Sequence, residues 1–348
     1  MYNSTIKTLE VFKYATTKSV SPLTWDRGAI TRIETEILTA PSLGRLHGLI
    51  LYNAVKRHHL DWFKATTQLQ LKLNTIKLIV DIAAKKHFIK QLMAILEVHN
   101  ISVILLKGMA FNGYIYDSEA PRGVSDIDIL IKPHDKRMFD KIFNAIATLV
   151  AVENKHAFDG LYEQTWRSND TAKHLIDVHT YLTNPILFNI NYDQLWKHSI
   201  IHPEYDSELI RILSPEHSLL HLTTHVINDS NFYHYNLIDV HELLSKFALD
   251  TQFMRQEAQI WGLELANDLL IKCTTDNMNS IEQQEELKSS WFLNIKTAVA
   301  KLLIDHLFPV PSKEKSLLHR FKQLSCYLFV ADSALPLIKL IRLYLKRK

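Results

Sequence analysis

The chain has little of what breaks helices or staples small folds. Of its 348 residues only 8 are glycine, 10 are proline and 2 are cysteine. So little glycine and proline excludes collagen-like and low-complexity linker architectures and favours long helices. Cys273 and Cys326 stand too far apart for a C-x-x-C metal or redox motif, so a reducing cytoplasm is the expected compartment. No apolar run approaches the roughly 20 residues that span a bilayer. The opening MYNSTIKTLEVFKYATTKSV lacks the apolar centre of a secretory signal. A net charge of +3 is too mild to point to nucleic acid by itself. What is present is an ordinary globular balance, 47% hydrophobic and 22% charged, in a chain long enough for two or three domains or for one elaborated core. Histidine, at 18 residues, is abundant.

The hydrophobic period changes twice along the chain. Ser42 to Asn100 reads as helical, with Leu78, Ile82, Ile89, Leu92 and Leu96 recurring at helical steps. ISVILL, Ile101 to Leu106, is short, β-branched and apolar, as a strand buried on both faces would be. Lys107-Gly108 ends it and opens a short helix, and SDIDILIK follows as a second strand. DKRMFDKIFNAIATL has a helical apolar stripe with Asp135 as its N-cap. HLIDVHTYL reads as a third strand, after which the period is helical again. Ser214-Pro215-Glu216 is a helix start, and helices are expected over Tyr235 to Leu249 and Thr251 to Lys272. The expected fold is α+β: a helical region 1–95, a small mixed-sheet core 96–183, and a helical region 184–348.

Within that core, Asp126 and Asp128 interrupt an apolar stretch one residue apart. On a strand they share one face while Ile127 and Ile129 share the other. Two adjacent carboxylates repel unless a cation lies between them, and a hard divalent ion prefers such oxygen ligands. Taken alone, D-x-D divides evenly between this reading and a solvated strand end. Three neighbours favour chemistry. Lys107-Gly108, at a strand end opening a helix, offers a cation and close backbone approach to phosphate. Arg122, four residues before Asp126, brings a planar fork suited to phosphate oxygens, or simply pairs with the aspartates. Asp177 supplies a further carboxylate on a later strand, sharing its face with His179. Three carboxylates from two strands can hold two ions about 4 Å apart for in-line phosphoryl transfer.

L-K-G, a helix, a loop with arginine and then D-x-D on a strand resemble the nucleotidyltransferase superfamily that includes DNA polymerase β. More narrowly, VILLKGMAFNGYIY, PRGVSDIDILIK, LIDVHTYL and LSPEHSLLHLTTH with NLIDVHELL resemble, in order, the signature blocks of the bacterial uncharacterised nucleotidyltransferases. Lys107-Gly108 stands where many superfamily members have Gly-Gly or Gly-Ser, and the spacing to Asp126 is longer than in many. The resemblance implies transfer of a nucleoside monophosphate from an NTP to an acceptor hydroxyl, with release of pyrophosphate. It implies Mg²⁺ or Mn²⁺, two ions, on Asp126, Asp128 and Asp177, with Asp177 also orienting or deprotonating the acceptor. Lys107, Gly108 and Arg122 would face the phosphates, and His179 the substrate. The acceptor stays open: a tRNA, a protein or a biosynthetic intermediate.

Other readings carry less. D-x-D also serves glycosyltransferases that use nucleotide-sugars, but no alternating βα half precedes it here. A non-catalytic nucleotide-binding module would keep the metal pair and release no pyrophosphate. His217, His221 and His225 form one helical stripe without an H-E-x-x-H acid, so zinc is not expected, and His221 and His225 are expected to pack toward the core or the active cleft. The basic, amphipathic LPLIKLIRLYLKRK at the C-terminus reads as a docked helix, with a membrane surface or RNA as the alternative.

Overall fold

The structure, a computed structural model, describes residues 10–16, 25–117, 120–150, 163–183, 185, 187–229, 236–278 and 332. It divides into two compact units, one of Trp25–Asn184 with Asp193–Ser214, the other of Met1–Thr24, Pro185–Tyr192 and Pro215–Lys348. Cys326 and the basic C-terminal segment lie outside the described residues.

The first unit opens with three helices, α1 (Arg27–Thr39), α2 (His47–Lys56) and α3 (Ala65–His99). Asp26 caps α1 by accepting from the Ala29 amide at 2.6 Å. The 35-residue α3 ends at Asn100, whose φ of 52° is left-handed, a conformation asparagine tolerates. That turn hands the chain to β1 (Val103–Leu106), followed by α4 (Lys107–Phe111), β2 (Ile127–Ile131), α5 (Lys136–Phe143), β3 (Ala147–Leu149), β4 (Glu163–Ser168) and β5 (Leu175–His179). A short helix, α6 (Tyr192–His198), and strands β6 (Ile200–Ile201) and β7 (Ile210–Ile212) follow.

The strands form one mixed sheet in the order β3-β4-β5-β2-β1-β7-β6. β2 pairs with β5 and β1 with β7 in parallel; the other pairs are antiparallel. β1 and β2 are buried throughout, as their apolar β-branched sequences dictate. One face of the sheet carries Ile127, Ile129, Ile131, Ile176 and Val178, all fully buried. Its extension at Trp166 meets the Phe143 ring at 5.2 Å, and Phe143 meets Phe88 of α3 at 6.2 Å. Each such side chain contributes about 1.5–3 kcal/mol by leaving water. The apolar face therefore anchors the strands, leaving the opposite face for chemistry.

The expected α+β class, with a small mixed sheet in a largely helical chain, holds. Several elements differ. Asp135 lies in a 3-10 turn and makes no capping hydrogen bond; the helix behind it stops at Phe143, and Ala147–Leu149 becomes a strand. Pairing with β4 overrides the helical period there. β4, β6 and β7 also stand where no strand is legible in the sequence.

In the second unit, α7 (Pro215–Asp229), α8 (Asn236–Lys246), α9 (Thr251–Trp261) and α10 (Glu264–Met278) pack on one another. The single helix expected from Thr251 to Lys272 is two: Gly262, with φ of 74°, ends α9, and the Leu263 amide donates back to the Ala258 carbonyl at 2.8 Å. No described helix is long and apolar enough to cross a membrane.

Candidate active site

Parallel pairing puts Asp128 of β2 directly opposite Asp177 of β5, and antiparallel pairing puts Thr165 of β4 opposite Asp177. By strand alternation the three share the face opposite the apolar one. Leu130, His179 and Glu163 form the next row of the same face, again by direct register. Asp126 lies one residue before β2, with its Oδ1 accepting from the Ser125 hydroxyl at 2.7 Å.

Lys107 follows the residue that pairs with Asp128 across β1 and β2. Its φ of 46° is left-handed, which costs a side-chain-bearing residue about 1 kcal/mol or more. From there its Nζ reaches to 3.4 Å from Asp128 Oδ1. Burial pulls the ammonium down, but Asp128, Asp126 and Glu163 outweigh it and hold the lysine above its ordinary value. His179 Nε2 stands 3.4 Å from the same Asp128 oxygen, and its Nδ1 lies 3.9 Å from Glu163 Oε2. His179 thus sits between two carboxylates, buried beneath the site's rim.

Thr165 donates its hydroxyl to Asp177 Oδ1 at 2.8 Å. Burial, joined by the charges of Asp128 and Glu163, nevertheless pushes the Asp177 carboxyl up to about 6. Asp128 is buried and Asp177 partly so, and the cation beside the pair is Lys107, 3.4 Å from Asp128. The hard oxygen donors of the two carboxylates fit magnesium or manganese. Among the described residues no three acidic, imidazole or thiol groups lie close enough to enclose an ion by themselves. The carboxylates that could hold such an ion are Asp128 and Asp177, paired across β2 and β5, with Asp126 one residue before β2.

The remaining expected residues take other places. Gly108 is buried, and a Cβ there would stand 2.6 Å from Val124 Cγ1, so the close approach it permits is to the loop entering β2. Arg122 is buried in that loop, its Nη1 donating to the Gly123 carbonyl at 3.4 Å. Asn112 Nδ2 donates to the Gly108 and Arg122 carbonyls, both at 3.1 Å, and ties α4 to the loop. The Gly123 amide donates to the Arg45 carbonyl at 2.8 Å, docking the loop on the N-terminal helices. The structure thus brings together Lys107, Asp128, Asp177 and His179, sets Asp126 beside them, and uses Gly108 and Arg122 in the loop's packing.

Sequence reasoning missed Glu163, Thr165 and Asn112. The alternation of Glu163 and Thr165 in EQTWRS was the available signal, too short to mark a strand. In the second unit, His217 Nε2 lies 3.4 Å from Glu257 Oε2 and stacks on the Trp261 ring at 5.8 Å, while the His221 and His225 rings meet edge to face at 5.0 Å.

A comparison with curated proteins finds no match. The sequence model of the family described as uncharacterised nucleotidyltransferase matches residues 35–279, which take in the whole sheet and the described helices from α2 onward. With that match covering well over half its length, the chain belongs to the uncharacterised nucleotidyltransferase family.

Proposed function

We propose that the protein transfers a nucleoside monophosphate from an NTP to the hydroxyl of an acceptor. The observation that carries this reading is the direct pairing of Asp128 with Asp177 on adjacent parallel strands, beside a lysine held charged. The acceptor oxygen bonds to the α-phosphorus as the bond from that phosphorus to the bridging oxygen breaks. Pyrophosphate leaves, and the hydroxyl proton passes to the Asp177 carboxylate. Asp177 is the carboxylate on the strand next to Asp128, within the same row, so it stands where a hydroxyl attacking at the phosphate would shed its proton. Thr165 holds Oδ1 of Asp177, leaving Oδ2 to face the acceptor. His179, itself flanked by Glu163, fixes the orientation of Asp128. Lys107 balances the triphosphate charge, while Gly108 and Arg122 shape the loop that delivers Asp126 and Asp128. Magnesium or manganese, as two ions on Asp126, Asp128 and Asp177, would supply Lewis-acid stabilisation of the transferring phosphoryl group.

Incubation with each α-labelled NTP, Mg²⁺ or Mn²⁺, and fractionated RNA, protein and small molecules tests this. Label should enter one fraction, and Asp128→Asn should reduce it at least about 100-fold while the melting temperature is kept. Transfer by Asp128→Asn at the wild-type rate would overturn the assignment.

A further inference from the structure

The face that bears the carboxylates continues past them toward the sheet edge. Two residues along β4 and β5 from the Thr165–Asp177 pair stands the Arg167–Leu175 pair, and Arg167 in turn pairs with Thr148 of β3. By strand alternation all of these share the carboxylate face, at about 7 Å from the catalytic row. Here the surface is open: Arg167 is exposed and Leu175 is 41% exposed. A shallow concavity of about 600 Å³ is lined by Thr148, Arg167, Ser168, Asn169, Lys173 and Leu175.

The two charged side chains that line it, Arg167 and Lys173, are both cationic. Among the described residues the Arg167 side chain has no carboxylate partner and no hydrogen-bond acceptor, although the sequence around it offers Asp170. That carboxylate is turned to the turn's own donors, its Oδ1 accepting from the Ser168 hydroxyl at 2.7 Å and the Lys173 amide at 3.0 Å. The Lys173 ammonium, exposed, contacts only a carbonyl, that of Asn169 at 3.2 Å. Two cations without carboxylate partners thus flank an exposed apolar side chain, one sugar-phosphate span from the carboxylate that faces the acceptor. A planar guanidinium and a point-charge ammonium are the groups that hold phosphate oxygens.

We infer that this surface binds the acceptor and that the acceptor is phosphorylated: its hydroxyl lies at Asp177, its sugar over Leu175, and its phosphate between Arg167 and Lys173. This rests on the nucleotidyl-transfer reading above and adds the acceptor's chemical class. The phosphate has two sources, the end of an RNA strand or a small sugar phosphate.

The test uses the full chain and reads binding, not turnover. A fluorescein-labelled single-stranded RNA of about a dozen nucleotides is titrated by anisotropy across salt concentrations, with ribose 5-phosphate as competitor. The double variant Arg167→Gln/Lys173→Asn is compared with wild type; asparagine is chosen because Lys173 has a φ of 53°. Arg167→Glu is a second variant, and melting curves establish that both fold. RNA affinity should fall about tenfold or more in the double variant, and the slope of log K against log salt should flatten by about 1.4, near 0.7 for each lost phosphate contact. Failure of ribose 5-phosphate to compete assigns the phosphate to RNA, whereas competition that disappears in the variants assigns it to a small acceptor. Wild-type affinity of the variants for both probes overturns the inference, as does wild-type protein that binds neither. A fluorescent ATP analogue is measured in parallel: loss of its binding in the double variant would give this face to the donor and also overturn the inference. Asp128→Asn separates the two readings, since transfer surviving that change defeats nucleotidyl transfer at this site whatever the RNA arm shows.

Discussion

Lys107 adopts a left-handed backbone that lysine takes only at a cost, and it does so beside the two facing carboxylates. Residues held in such conformations mark places where geometry is worth more than local stability. Replacing it with methionine keeps the length of the side chain and removes the charge. NTP affinity, read by equilibrium binding, should then fall about tenfold, and Lys107→Arg should not restore it, because a broad planar fork replaces a compact charge. Thr165 acts through Asp177 and is a positioning residue. Thr165→Val should lower kcat about tenfold with KM for the nucleotide unchanged, and Thr165→Ser should recover most of it, since only the hydroxyl is used. At this scale the three aspartates and Lys107 were legible, because a charge within an apolar strand, as at Asp128 and Asp177, or at its end, as at Asp126 and Lys107, is conspicuous. Thr165 and Glu163 were not, because a polar residue in a mixed stretch carries no sign of which neighbour it will meet.

The loop into β2 is built around contacts that only glycine permits at Gly108, where Val124 fills the space a Cβ would take. Gly108→Ala should destabilise the protein by about 1–3 kcal/mol, as overpacking does, and should shift Asp126 and Asp128 with the loop. Val124→Ala removes the atoms that clash, so the double variant should regain stability and activity beyond the sum of the single changes. Denaturant titration of the four proteins reads that coupling. β1, β2 and β5 were legible because each is apolar and bounded by a turn or a change of period. β3, β4, β6 and β7 escaped for a physical reason. Strands of two or three residues have no period, and EQTWRS and ATL take their conformation from the ladder each completes. Likewise Gly262 breaks a helical stripe by backbone conformation alone, without any change in apolar spacing.

Over the whole molecule, burial shifts titratable groups in opposite directions, and each shift gives stability its own dependence on pH. Burial lowers His47 to about 4, and it also lowers His174, with Lys85 adding to the effect, and His202. An unfolded histidine titrates near 6.5, so below that pH the unfolded chain gains protons the folded one refuses. Stability from these groups is full above 6.5 and is lost as pH falls through the window down to the folded values. Asp268 behaves oppositely: burial, with Glu264 and Asp332 adding to it against Arg255, lifts it to about 6 from 3.8. It destabilises the fold above about 6 and ceases to do so as pH falls toward 3.8. His47→Gln keeps an acceptor for the Asn74 amide, which lies 2.8 Å from His47 Nδ1, and removes the titration. Its stability relative to wild type should therefore rise as pH falls from 7.5 to 4.5, by on the order of 2 kcal/mol. Asp268→Asn should show the reverse, a gain at pH 7.5 on the order of 1 kcal/mol that shrinks toward pH 4.5. Urea midpoints of the three proteins at both pH values measure the two slopes, and slopes of the same sign would mean that these side chains are not buried as described.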